Sequence, residues 1–183
     1  HASQLWDAIL SYNNKHTDEN APKDIVLPIG LGVRDSLRLE AGLCLYGHEL
    51  SQDISPIEAG LSWVISPRRK LEGGFIGSDA ILEQLQKGPE KSLVGVITQS
   101  GGVPREHMNI LHPETKEVIG QTTSGGCAPS LNNARIAMCY LSTNSKLQNG
   151  DDVIVDLRGK ETLMKLTPLP FVKTNYYRVP KKV

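Results

Sequence analysis

The sequence has few cysteines, no excess of either charge and no long apolar run. Its three cysteines, Cys44, Cys127 and Cys139, are odd in number and form no C-x-x-C pair. This argues against a disulfide framework or a structural zinc site and fits a reducing compartment. Each thiol reads as a small buried hydrophobe. The 20 basic residues balance the 20 acidic ones, so neither a nucleic-acid partner nor an anionic membrane surface is expected. No apolar run approaches the length of a membrane span. His48, His107 and His112 lack metal-ligand spacing, and no metal is expected. No Ser/His/Asp set, nucleophile elbow, internal repeat or low-complexity tract is visible. No signal or transit pattern is readable at the start. The chain opens at His1 almost directly on a helical pattern, which suits a fragment better than a mature start.

What is present divides into two parts. Leu5, Trp6, Ile9 and Leu10 recur at helical spacing and predict an amphipathic helix over 3–12 with Ser3 as N-cap. Residues 13–24 read as a polar surface loop, followed by a short apolar stretch, Ile25–Ile29. From Gly30 to Gly47 apolar residues lie on both sides of a helix, which predicts a buried one, weakened at Gly42 and stopped at Gly47. Residues 55–66 read as a Pro-led turn into a strand, and a basic, Gly-rich stretch follows from Arg68 to Gly74. Ser78 is placed as the N-cap of a helix closed by Gly88-Pro89. Six short β-type runs then appear: 93–98, 108–111, 118–123, 136–141, 153–157 and 163–166. That spacing predicts a small barrel or sandwich, with a domain boundary near Gly88–Lys91.

Arg34 and Arg38 are the sharpest chemical feature. Like charges at i, i+4 repel on a helix, and burying them without partners costs far more. A carboxylate is therefore expected nearby. It belongs either to a bound acidic molecule, which an arginine fork grips in bidentate fashion, or to the protein, as Asp35, Glu40 or a distant acid. Trp63 either stacks on a flat heteroaromatic ring or packs in the core. Arg68, Arg69 and Lys70 form a solvated face or a docking patch for an acidic partner. Arg105 is a surface charge or a site residue on a loop tip. The segment Ser124-Gly-Gly-Cys-Ala-Pro-Ser130 lacks a P-loop lysine and reads as turn chemistry. Asn175-Tyr176-Tyr177 either tucks back into the core or reaches a site.

Longer strings carry more. LGVRDSLRLEAGLCLYGHEL (31–50), SPIEAGLSW (55–63), GVPREHMNI, IGQTTSGGCAPSLNNARIAMCYL and PFVKTNYY occur in this order. Together they resemble the C-terminal half of the glycine cleavage T-protein (aminomethyltransferase) family, over essentially the whole chain. The resemblance implies an α+β fold, in which residues 1–88 end the folate-binding domains and residues 89–183 form a C-terminal antiparallel β-barrel, jelly-roll-like. It implies transfer of the methylene carbon from the aminomethyl-lipoyl arm of H-protein to tetrahydrofolate, with release of ammonia and formation of 5,10-methylenetetrahydrofolate. Tetrahydrofolate is then the co-substrate, and the lipoyl group belongs to the partner H-protein. The P- and L-proteins are functional companions, and the mitochondrial matrix is the implied location. By the same resemblance Arg34, Tyr176 and Trp63 contact folate, while Arg38 is a structural partner within its helix. No catalytic residue is expected in this chain, because the family's aspartate lies in the upstream half. Rival readings are a non-catalytic folate-binding relative, the C-terminal module of a dimethylglycine- or sarcosine-dehydrogenase-type fusion, and an interaction protein that has lost catalysis.

Overall fold

A computed structural model describes residues 1–12, 26–176 and 179. The expected loop over 13–24, and Ile25 and Tyr177, lie outside the described residues. The chain divides into two compact units, 1–34 and 35–183. The first contains α1 (Ala2–Leu10). Its N-cap is His1, not Ser3, which falls inside the helix. Helix α2 (Leu31–Glu40) runs across the division.

The second unit is built on a closed barrel of six antiparallel strands: β1 (Lys91–Thr98), β2 (Asn109–Leu111), β3 (Val118–Ala128), β4 (Ala134–Ser142), β5 (Asp152–Asp156) and β6 (Glu161–Thr167). Their order around the barrel is β1-β4-β3-β2-β5-β6, and each overlaps a predicted β-type run. Side-chain alternation explains the two cores. Ala137, Cys139 and Leu141 of β4 meet Val96, Ile110, Val153, Val155, Met164 and Leu166 inside the barrel. Ile136 and Met138 point outward, where Leu39 and Ala128 cover them, with Leu169 and Phe171 packed alongside. Full burial of each Val, Leu, Ile or Met side chain among them contributes roughly 1.5–3 kcal/mol.

The differences from expectation lie mostly ahead of the barrel. Helix α2 stops at Glu40 rather than near Gly47. Gly42 adopts a left-handed φ of 63°, its N–H donates to the Leu39 carbonyl at 3.0 Å, and the Leu43 N–H reaches the Arg38 carbonyl at 2.8 Å. That pair of bonds is a Schellman termination, which the glycine makes accessible. No strand forms over 55–66. Ser55 and Glu58 exchange bonds (Ser55 N–H to the carboxylate at 2.8 Å, Glu58 N–H to Oγ at 3.1 Å), so the S-P-I-E string acts as a capping box and starts a helical turn. A 3-10 turn, Ser62–Val64, follows. Ser66 then caps α3 (Pro67–Glu72) with Pro67 in its first turn, an N-terminal signal that the basic character of the stretch concealed. Helix α4 (Ser78–Lys87) starts from a left-handed Gly77 without a Ser78 side-chain cap, and it ends at Gly88 as expected.

The Gly-rich segment 124–128 is strand, not turn. Gly125 serves close approach there: a Cβ on it would lie 2.5 Å from the Pro104 carbonyl oxygen, and earlier in β3 one on Gly120 would lie 2.3 Å from that of Tyr140. Among the described residues no helix is long and apolar enough to cross a membrane.

Candidate functional site

Arg38 is 9 % exposed, and its guanidinium is fully engaged. Nε donates to Asp35 at 2.8 Å, Nη1 to Glu49 at 2.8 Å, and Nη2 to the Ser124 hydroxyl at 2.9 Å. Glu49 is wholly buried. It also accepts the Leu45 N–H at 3.0 Å and the Thr123 hydroxyl at 2.6 Å. The Tyr140 hydroxyl donates to its carbonyl at 2.8 Å. A buried pair with its remaining lone pairs satisfied meets the desolvation cost that an isolated charge cannot. Thr123 and Ser124 both reach the pair because the β3–β4 register shifts between Thr122 and Ser124. A bulge there turns two successive side chains toward one side. For Arg38 the protein itself supplies the expected carboxylate, from Asp35 in its own helix and from Glu49 eleven positions on.

Arg34 behaves differently. It is exposed, and none of the described residues pairs with its guanidinium. One turn apart on α2, Arg38 is buried and paired, while Arg34 is exposed and unpaired among the described residues.

Trp63 is 76 % exposed, so it does not pack in the core formed by these residues. It borders a cavity of about 460 Å³ walled by Leu43, Cys44, Ala59, Leu93 and Leu169 among others. The walls are mainly apolar, which suits a flat ring more than a charged group. Burial, followed by the Glu49 charge, pushes the Cys44 thiol above its ordinary range, while the Arg38 charge opposes both. A thiol so placed is a poor nucleophile. Neither Arg34 nor Tyr176 is among the lining residues. Tyr176 is 63 % exposed, so it does not tuck into the core.

The remaining expectations resolve simply. Arg68 pairs with Glu72 at 2.9 Å on an exposed face. Arg69 caps the end of α3 through the Gly73 and Gly74 carbonyls. Arg105 is exposed and borders a polar recess with Asp156 and Arg158. His48 pairs with Glu106 at 3.1 Å. Among the described residues no group of three or more His, Cys, Asp or Glu could hold a metal ion. Sequence reasoning missed Glu49 as the buried acid, Thr123 and Ser124 as its supports, and Glu40 as the residue that binds Ser130 through N–H and hydroxyl at 2.9 and 2.7 Å. The one signal was indirect: a buried arginine demands a partner.

Residues 1–69 match the GCVT N-terminal domain, and residues 91–173 match the glycine cleavage T-protein C-terminal barrel domain. The chain belongs to the glycine cleavage T-protein family. The mitochondrial aminomethyltransferase of Dictyostelium discoideum is 50% identical over 156 residues, which cover 84% of this chain and 38% of that protein. That of Pisum sativum is 50% identical over 149 residues, covering 81% and 36%. The crystal structure of the glycine cleavage system aminomethyltransferase T from Bartonella henselae has a TM-score of 0.75 to this fold at 39% identity, covering 82% of this chain and 41% of that one. The chain thus spans about two fifths of the length of these T-protein relatives.

Proposed function

We propose that the chain is the C-terminal part of an aminomethyltransferase of the glycine cleavage system, with residues 1–88 ending the folate-binding domains and residues 89–183 forming the barrel domain. The full-length enzyme transfers the methylene carbon from the aminomethyl-lipoyl arm of H-protein to tetrahydrofolate. Ammonia leaves, and 5,10-methylenetetrahydrofolate and the dihydrolipoyl carrier remain. The catalytic aspartate expected for the family lies outside this sequence, so the chain alone is inactive. The names of its relatives support a mitochondrial location, which we assign to the matrix.

Within this chain Arg34 grips a folate carboxylate, Trp63 lies against a flat part of the cofactor, and Tyr176 adds a contact from the tail. The observation that carries the reading is the contrast on α2: Arg38 is fully paired inside the protein, while Arg34 is exposed with no described partner. A fork-shaped cation with no carboxylate partner among the described residues fits recognition of an external one. Arg34→Ala in the full-length enzyme should weaken tetrahydrofolate binding by about 1.5–3 kcal/mol, measured by calorimetric titration. Unchanged affinity in a folded variant would remove Arg34 from the site.

A further inference from the structure

The stretch after β6 crosses the outer wall of the barrel as a strap. Leu169 and Phe171 pack against the cluster of Leu39, Ile136 and Met138. The Phe171 ring sits in a notch at Gly95 of β1, where a Cβ would come within 2.7 Å of its Cε1 and 2.9 Å of its Cζ. The Gly95 backbone is ordinary strand, so the small side chain is needed for space rather than for conformation. Alternation agrees: Val94 and Val96 serve the interior, while Leu93 and Ile97 flank the notch outside.

The same strap is fastened to the end of α2. The Val172 N–H donates to the Glu40 carbonyl at 3.0 Å. Leu169 and Pro170 press on the Gly42 turn, each 3.2 Å from where a Cβ would stand. Glu40 is 4 % exposed, yet among the described residues it has no cationic partner. Both of its carboxylate oxygens are spent on Ser130, which fixes the helix end that receives Val172. Past Val172 the hold ends. Residues 173–176 are exposed and make no hydrogen bond among the described residues.

We infer that Gly95, Phe171 and Glu40 act as a notch and clasp that set where the tail leaves the barrel, and so are positioning residues for Tyr176. This rests on the proposed folate contact of Tyr176. A side chain on a short tethered segment has an effective concentration at its target set by the anchor. Releasing the strap back to Thr167 lengthens the free segment, and each added residue must be ordered on binding. Loosening the clasp therefore costs at most what Tyr176 contributes.

The test is a double-variant cycle in the full-length enzyme, with tetrahydrofolate Kd as readout and amide exchange at Val172 as a second one. Phe171→Leu keeps an apolar side chain and Glu40→Gln keeps the shape, so the fold is preserved. Tyr176→Ala is expected to raise Kd several-fold. Phe171→Leu should raise it by up to the same factor and speed Val172 exchange, and the double variant should be no weaker than Tyr176→Ala alone. Glu40→Gln should act in the same direction, to a smaller degree. If the two single effects multiply, the strap acts independently of Tyr176 and the inference is overturned while the folate contact stands. Val172 exchange unchanged in Phe171→Leu overturns it irrespective of folate. If Tyr176→Ala leaves Kd unaltered, the folate role of Tyr176 falls, and the positioning role with it.

Discussion

Strands β1–β6 bury side chains on both surfaces around β4, whereas helices α1, α3 and α4 contain no fully buried residue. From Ile136 to Leu141 every residue of β4 is buried. Ahead of the barrel, by contrast, Trp63, Leu71 and Ile76 are 76 %, 86 % and 103 % exposed. Closure of the sheet satisfies the backbone and interior apolar groups of the barrel at once. Three buried charged groups of the preceding segment serve attachment instead: Arg38 and Glu49 reach Ser124 and Thr123 of β3, and Glu40 reaches Ser130 in the turn before β4. The difference teaches that attachment to the barrel and the proposed recognition fall on separate residues. Those that tie the segment to the barrel are buried and paired, whereas Arg34, Trp63 and Tyr176, the residues proposed to meet the ligand, are exposed.

The largest expected effect is at the junction. Glu49→Ala leaves Arg38 buried without its main counter-charge and strips a partner from Thr123 and Leu45. Breaking a buried pair from one side costs about 3–5 kcal/mol, to be read from urea unfolding of the 183-residue chain. A loss below about 1 kcal/mol, the range of exposed pairs, would mean that the segment is not held by this pair.

The next test sets barrel glycines against helical ones. Gly120→Ala drives a methyl to 2.3 Å from the Tyr140 carbonyl oxygen, and overpacking of this kind costs about 1–3 kcal/mol. Gly32 lies in α2 with nothing within 4 Å of an added Cβ. There alanine should stabilise by about 0.5–1 kcal/mol through helix propensity. Opposite signs in thermal unfolding support the division; the same sign at both sites would break it.

How much of this was legible follows the same line. All six strands could be read, because a barrel imposes alternation and turns that depend only on local sequence. The elements ahead of it were misjudged where one residue outranked periodicity. Gly42 ended a helix whose apolar pattern continued past it, and the Ser55–Glu58 box wound a turn where apolar residues suggested a strand. The site was half legible. That a buried arginine needs a carboxylate was readable, but that Arg38 would be the buried one was not. Glu49 reaches Arg38 only after the Schellman turn reverses the chain, and Thr123 joins them only because of a bulge that no composition announces.

A smaller effect comes with pH. Burial alone pushes the Cys139 thiol inside the barrel from 9.0 up to about 12. Above pH 9 the unfolded chain releases this proton while the folded chain keeps it. Stability from this group is therefore intact below pH 9 and is lost as pH rises toward about 12, by up to about 1.4 kcal/mol per pH unit. Tyr140, raised by burial and then by the nearby Cys44, Glu58 and Glu49 charges, acts in the same direction at higher pH. Cys139→Ala should flatten the fall in unfolding free energy across that window. An unchanged slope would assign the alkaline loss elsewhere, whereas Cys44, outside the barrel, has a smaller part in it.

The smallest stability change is expected where the ligand effect is sharpest. Trp63 is the largest exposed side chain at the mouth of its cavity, so Trp63→Ala should shift folding free energy by no more than about 0.5 kcal/mol. If the ring stacks on folate, the same substitution lowers tetrahydrofolate affinity of the full-length enzyme by about 0.5–1.5 kcal/mol, and Trp63→Phe restores part of it. The two readouts together decide the role. A stable variant with undiminished affinity takes Trp63 out of the ligand's surroundings. A variant that unfolds easily makes Trp63 a packing residue, and the line between buried attachment and exposed recognition then has to be drawn elsewhere.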